Sequence, residues 1–344
     1  MRDRKGTFIV SLDFEQYCGV RDQISFAEFK QTHSEDRSII CNILDLFEKY
    51  NIHATWAIVG MLFCKNGGEL LHCLPDSKPL YKNGNLSPYL NMEDIIHEDG
   101  PENPYLFAPY LIRKIASTPY QEVASHTFSH YYCLEKGQNL ENFKADIKMA
   151  IKIAKTFNLS ITSIVFPRNQ INPDYLPICA DMGIKAYRGH HPHWIYKGDP
   201  LGKKPNFMVK SLRFLDLFFN ILGHSAFSIT DIPQEMPINI QASRFLRGYA
   251  KRLRFLKGWR LKRIKADLTY AAKKGLVYHL WWHPHDFAMH KDEKLLLLKN
   301  ILEHFISLKE KYGMESLNMR ELSQKLLDGE MRITKRSGSP SNEC

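Results

Sequence analysis

Short β-rich runs alternate with helical patterns along this chain, and that alternation restricts its fold more than any other feature. Residues 7–12 are β-branched and apolar, while residues 38–50 place apolar side chains at 39, 40, 43, 47 and 50, one face of a helix. Residues 54–59 and 122–125 read as strands, and 140–157 as a helix with 140, 143, 147, 151 and 154 on one side. Further strands are predicted over 161–166, 185–187 and 276–282. Further helices are predicted over about 293–311 and 320–327, the last with Asn318 near its start. Strands separated by helices return in parallel, so the pattern predicts an α/β barrel or an open parallel sheet.

A chain of 344 residues can be one barrel, and residues 1–328 are expected to form a single domain. Residues 65–110 break the alternation with many Gly, Pro, Asn and Asp, as a functional loop or cap inserted into a barrel would. The polar tail 329–344 is expected to be disordered. An apolar stretch at 214–222 is interrupted by Asp216 and falls short of the roughly 18 residues that a spanning helix needs. Only residues 8–12 are apolar before Asp13, too few for a signal peptide, which suggests a cytoplasmic location. Seven scattered cysteines without a Cys-x-x-Cys pair fit a reduced compartment and argue against a disulfide framework or a cysteine zinc site.

Charge is the unusual part of the composition. The chain carries 47 Lys and Arg against 37 Asp and Glu, a net +10. Ten of those cations and no acid lie within 244–265, so the rest of the chain is neutral. Apolar residues at 246, 249, 253 and 256, and again at 261, 264, 268 and 271, predict two amphipathic helices meeting near Gly258. Their positive face is either simply solvated or makes peripheral contact with anionic membrane. Nucleic acid is disfavoured, because no recognition module accompanies the patch.

The polar residues with chemical potential fall just after predicted strands. Asp13 and Glu15 follow the first, His126 and His130 the 122–125 strand, Arg168 the 161–166 strand and His283 the 276–282 strand. In barrels and parallel sheets that edge carries the active site. Two imidazoles four residues apart can share a metal with a carboxylate from elsewhere, although such a pair also occurs on ordinary surfaces. Asp13 and Glu15 would equally suit helix capping.

Taken together, Ser11-Leu12-Asp13-Phe14-Glu15, Ala54-Thr55-Trp56, Glu122-Val123-Ala124-Ser125-His126-Thr127-Phe128-Ser129-His130, Phe166-Pro167-Arg168 and His283-Pro284 stand in an order that resembles the polysaccharide deacetylases, the NodB-homology, carbohydrate-esterase-four-like superfamily. The resemblance runs over roughly residues 7–290, loosely across the insertion. It implies a distorted (β/α) barrel with one divalent metal, usually zinc. Asp13 would be the general base, and Glu15, His126 and His130 the metal ligands. Arg168 would orient the base and His283 would be the general acid. The family's usual first motif has two adjacent aspartates, so Asp13-Phe14-Glu15 resembles a variant form, and Phe-Pro-Arg-Asn departs from the usual Phe-Arg-x-Pro.

The implied activity is hydrolytic N-deacetylation of an N-acetylated sugar or glycan precursor, in surface polysaccharide or lipopolysaccharide synthesis. The alternatives are hydrolysis of another carbon–nitrogen bond, or a catalytically silent barrel that binds membrane or nucleic acid through its basic helices. Other residues carry weaker expectations. His190, His191 and His193 form a cluster that reads as a solvated turn more readily than as a second metal site. His285 is an alternative acid, Asp286 a partner for His283, and His279 a core residue. Trp281 and Trp282 are adjacent on a strand, so one belongs to the core and the other could stack on a sugar.

Overall fold

β1 (Thr7–Phe14) is buried along its whole length, as a strand covered on both faces must be. In this computed structural model, the described residues are 4–329 apart from 91, 93–95, 97–102, 192, 197–205, 234 and 247–255. Among them, one sheet contains β1, β2 (Ala54–Ile58), β3 (Gln121–Ser125), β4 (Ser163–Ile164), β5 (Ala186–Gly189), β6 (Ile238–Gln241), β7 (Arg244–Phe245), β8 (Val277–Trp282) and β9 (Glu315–Leu317). The spatial order is β6-β5-β4-β3-β2-β1-β8-β7, with β9 also on β1, and the pairings are parallel.

That order settles the choice between an open sheet and a barrel. β6 and β7 lie at opposite ends of the order, yet only Ala242 and Ser243 separate them in the chain. Three peptide steps reach at most roughly 11 Å, so the two edges must curl towards each other. Hydrogen bonds cross the seam: Ala242 N–H donates to Gly189 O (3.0 Å) on β5, and Ser243 N–H to His279 O (2.9 Å) on β8. The fold is a distorted (β/α) barrel, as the sequence pattern and the resemblance implied.

Strand alternation then sorts the side chains of β1. Phe8, Val10, Leu12 and Phe14 face outward into the large core beneath the helices, whereas Ile9 joins Ala57, Ala186 and Val277 inside the barrel. The outer core takes Ile39, Ile40, Ile43, Leu44 and Phe47 from the helix Asp36–Lys49, with Trp56 and Trp282 packed edge-on against Phe47. Each such fully buried apolar side chain is worth about 1.5–3 kcal/mol. The helix Met319–Leu327 closes the barrel's N-terminal end with Met319, Leu322 and Leu326. It begins in a capping box between Asn318 and Glu321. The polar functions at the opposite end are thereby left with an open face.

Two expectations need correction. The 161–166 run pairs as a strand only over Ser163–Ile164. The basic stretch 244–265 is not two helices meeting at Gly258. It opens with strand β7, and its helix starts at Lys257 and runs through Gly258 to Lys274, while 247–255 lie outside the described residues. Arg244, Arg260 and Arg263 are buried and so do not belong to a solvated positive face. Arg244 donates to Asp216 and Asp267, and Arg263 pairs with the same two aspartates, because burying a guanidinium requires carboxylate partners. Beyond residue 329 the tail lies outside the described residues.

Candidate active site

Five strands deliver polar groups to one end of the barrel: Asp13 and Glu15 from β1, His126 from β3, Asn169 from the turn beyond β4, Arg188 from β5 and His283 from β8. Asp13 points inward like Ser11, two residues earlier on the same face. Its register neighbour on β2 is Ala57, itself paired with Ala124 on β3, and these small side chains leave room for charged ones.

The arginine on Asp13 is Arg188. Its Nη1 and Nη2 each donate at 2.7 Å to one carboxylate oxygen, a bidentate fork between groups that are both buried. Nη1 also donates to Ser11 Oγ (3.2 Å) and Nη2 to Asn169 Oδ1 (3.0 Å), and the guanidinium lies 4.0 Å from the Trp281 ring centroid. Burial pushes Asp13 towards the neutral acid, but Arg188 and the nearby imidazoles outweigh it and hold its pKa below the ordinary value. Arg168, expected in this role, instead donates to Asp22 and stacks 4.5 Å over Tyr132. The reason is local. Arg168 and Asn169 both adopt left-handed backbone conformations, and the turn sends Asn169 inward and Arg168 out over the rim.

Glu15 faces the imidazoles of His126 and His130. Its Oε2 lies 3.1 Å from His126 Nε2 and 3.0 Å from His130 Nε2, and all three residues are buried. The two histidines are not on a helical turn. The segment is a bend in which Thr127 and His130 take positive φ. Ser125 Oγ accepts the Thr127 N–H, and Asp146 accepts the N–H of Phe128 (2.6 Å) and the Ser129 hydroxyl. Ser125 and Ser129 thus help build a hydrogen-bonded turn. On the far side, Gly19 backs Glu15 so closely that a Cβ there would sit 2.0 Å from Glu15 Oε1.

The donor set fits a divalent cation. His126 Nδ1 donates to the Val165 carbonyl (2.8 Å), which leaves the Nε2 lone pair aimed at a carboxylate oxygen. Burial lowers His130 to about 4, so that ring is neutral, and its Nδ1 has no partner among the described residues. Two imidazole nitrogens and a carboxylate oxygen converge within 4.8 Å in a buried pocket, an arrangement that a shared cation would satisfy. The His₂-carboxylate set suits zinc and similar ions.

His283 closes the ring. Its Nε2 faces Asp13 Oδ2 (3.8 Å) and Glu15 Oε1 (3.7 Å), and its Nδ1 lies 3.1 Å from Asp286 Oδ2. Burial would make the imidazole neutral, but Glu15, Asp286 and Asp13 push it up to about 9. His285 stacks on His283 (centroids 5.1 Å) and is held neutral by burial, with a pKa of about 4. With Glu15 and His283 it forms the second metal-competent group among the described residues, and no group of that kind includes the 190–193 histidines. His279 lies within β8, bonded to Ser11 Oγ and the Gln241 carbonyl. Trp282 is core and Trp281 faces the site.

Three functional residues escaped the sequence reading. Arg188 follows the predicted 185–187 strand as directly as the other site residues follow theirs. Asp146 sits between Phe143 and Ile147 on the buried stripe of the helix Leu140–Lys155, where a carboxylate needs a reason. Asn169 had no readable signal.

A likeness in sequence accompanies this geometry. Residues 33–187 match the family model described as polysaccharide deacetylase. The chain resembles the polysaccharide deacetylases. Its fold is similar to that of a Mycobacterium smegmatis protein assigned to the polysaccharide deacetylases, at 10% identity and TM-score 0.59, covering 96% of this chain and 94% of that one. A Pseudomonas aeruginosa PAO1 protein of the same assignment gives 9% identity and TM-score 0.55 over 94% and 91% of the two chains. PuuE allantoinase gives 9% and 0.55 over 97% and 94%. At such identities these likenesses concern the fold. No curated protein sequence matches the chain.

Proposed function

We propose that the chain is a metal-dependent N-deacetylase of an N-acetylated sugar or glycan precursor used in surface polysaccharide or lipopolysaccharide synthesis. The observation that carries this reading is the pairing of two separate devices on one rim. A buried carboxylate is locked to Arg188, and a three-donor nest is formed by Glu15, His126 and His130. In this reading the nest holds zinc or a similar divalent ion, which when bound supplies Lewis-acid polarisation of the amide carbonyl and an acidified water.

The protein's own groups do the rest. Asp13, kept ionised by Arg188, takes a proton from water as its oxygen forms a bond to the acetyl carbon. His283, protonated and oriented by Asp286, gives a proton to the nitrogen as the carbon–nitrogen bond breaks. Acetate and a free amine leave. Ser11 and Asn169 hold the Arg188 guanidinium in plane, and Trp281 covers its face. A single domain spanning 1–328, a cytoplasmic location and peripheral contact with anionic membrane belong to the same proposal.

Acetate release, screened across nucleotide-linked and lipid-linked N-acetylated sugars and finished polymers, tests it. Asp13→Asn should abolish release. Release from finished polymer alone would overturn the precursor assignment. Hydrolysis of a non-sugar amide without any acetate from sugars would move the chain to the other carbon–nitrogen hydrolases.

A further inference from the structure

A groove of about 990 Å³ leaves the site at His283 and Trp281, passes Phe245 and ends against the helix Phe207–Asp216. That is the upper end of the roughly 300–1,000 Å³ range of small-molecule sites, and more than the reacting acetamide requires. Its walls carry Phe207, Phe214, Leu215 and Leu217, its polar lining includes Lys210 and Arg213, and among the described residues no carboxylate lines it. A surface built for sugar hydroxyls alone would offer acids and amides. Among the described residues, this one offers mainly hydrocarbon with the cations Lys210 and Arg213, and its one amide side chain, Asn169, is already engaged by Arg188.

The helix that ends the groove is inside out. Of its ten residues only Asp216 is buried, while Phe207 is 85% exposed, Met208 69% exposed, and Phe214 and Leu215 are exposed too. Asp216 is the anchor: its carboxylate accepts from Tyr196 Oη (2.8 Å) and from Arg244 Nη2 (3.3 Å). The exposed apolar surface continues through Phe219 and Ile221 to Trp259, whose ring contacts Phe219 and lies 5.6 Å from the ammonium of the exposed Lys262. A helix fastened by its acidic residue, with its apolar residues and Lys210 outward, has the composition of one that lies in a lipid interface. Exposed Trp beside Lys is the usual companion at that depth.

Resting on the deacetylase reading, we propose that the substrate is lipid-linked. The groove takes the hydrocarbon chain of an isoprenoid phosphate, its phosphate beside Lys210 and Arg213, and the helix Phe207–Asp216 meets the membrane that presents it. The charge of the groove and the apolar outer helix point to the same anionic amphiphile, and neither is needed to hydrolyse a soluble acetamido sugar.

Calorimetric titration of the full chain with farnesyl phosphate, geranyl phosphate and inorganic phosphate tests the groove. Flotation with phosphatidylcholine vesicles containing phosphatidylglycerol tests the helix. Farnesyl phosphate should bind one site per chain, at least about tenfold tighter than geranyl phosphate, because it buries five more carbons. The double variant Phe207→Ser, Phe214→Ser should lose at least about tenfold in farnesyl phosphate affinity and should not float. Both side chains are exposed, so its melting temperature should not change. Inorganic phosphate binding as tightly as farnesyl phosphate, or unaltered binding by the double variant, would overturn the proposal. So would a dimer that the double variant dissociates while farnesyl phosphate affinity persists, since a second copy would then cover the helix. Asp13→Asn keeps the two readings apart. It should bind farnesyl phosphate like the parent, so lipid binding alongside undiminished hydrolysis by Asp13→Asn defeats only the deacetylase assignment. Hydrolysis without lipid binding defeats only the groove.

Discussion

Arg188→Leu is the perturbation that most directly probes how the site is held. The fork donates two hydrogen bonds of 2.7 Å to Asp13, and both side chains are buried. Charges about 4 Å apart attract by about 4 kcal/mol at an effective dielectric of 20. Removing one partner of a buried pair costs about 3–5 kcal/mol, because the other charge is stranded. Asp13 can escape that penalty by taking up a proton, so the loss must depend on pH. In the parent its pKa lies below the ordinary carboxylate value, and its contribution to stability is present at neutral pH and lost only as the pH falls through that depressed value. In the variant, burial acts with less opposition and raises the pKa above the unfolded value. The sign therefore reverses. The variant should lie close to the parent near pH 4 and lose stability as the pH rises, reaching a deficit of about 3–5 kcal/mol by pH 8. Chemical denaturation between pH 4 and 8 measures this without any substrate. Acetate release should fail first at the acidic end, where the base is now protonated. Arg168→Leu is the control: it loses Asp22 and Tyr132 at the rim and should leave the stability profile unchanged in shape. If Arg168→Leu produced the pH-dependent loss and Arg188→Leu did not, the assignment of the fork would be wrong.

Zinc at a hundredfold over its dissociation constant should stabilise the parent by about 2.7 kcal/mol and leave the melting of His126→Ala unmoved; an equal shift in both would place the ion elsewhere. Gly19→Ala puts a methyl into the buried Glu15 side chain, against its Oε1, Cδ and Cγ, so the whole side chain must shift, and metal titration should find affinity reduced by about tenfold or more together with a lower apo melting temperature. Asp36 is buried with neither oxygen hydrogen-bonded among the described residues, and burial, aided by Asp286, pushes it up to about 8. A raised carboxylate contributes stability below its unfolded pKa and loses it as the pH rises, so Asp36→Asn should gain on the parent between pH 4 and 8 and level off above; denaturation midpoints showing a constant gap across that range would refute it.

The barrel was legible because its strands are buried on both faces and so read as apolar runs, and because the long helices repeat their apolar residues at helical spacing. The elements that failed to announce themselves are those the tertiary structure creates. β7 is two residues long and begins with an arginine, and β9 is three residues long. Neither presents a period that a sequence window can find, and both exist because β8 and β1 offer open edges. The same limit explains Arg168 and Arg188. Each follows a predicted strand and each is a plausible guanidinium, but Arg188 lies within β5 facing Asp13, whereas the left-handed turn at 168–169 sends Arg168 out over the rim. The basic stretch misled for a related reason. Counting charge along the chain cannot reveal that Arg244 and Arg263 close on Asp216 and Asp267, one of which lies 28 residues before Arg244.

The departure at the first motif, Asp13-Phe14-Glu15 in place of adjacent aspartates, follows from where β1 ends. The strand runs through Phe14, so positions 13 and 14 point to opposite faces, and Phe14 is 2% exposed in the outer core. An aspartate at 14 would be driven into that apolar layer, whereas a carboxylate at 15 returns to the interior side on which Asp13 lies. Position 15 also lies just beyond the strand and must reach across to His126 and His130, which favours the extra methylene of glutamate over aspartate. The spacing x between the two acids is thus one strand period, and the longer side chain makes up the distance. A Glu15→Asp chain should keep the fold and the Arg188–Asp13 fork, because neither depends on residue 15. It should bind metal more weakly than the parent, because the carboxylate is withdrawn by one bond from a nest whose two imidazoles are fixed by the Val165 carbonyl and by the bend that Asp146 ties down.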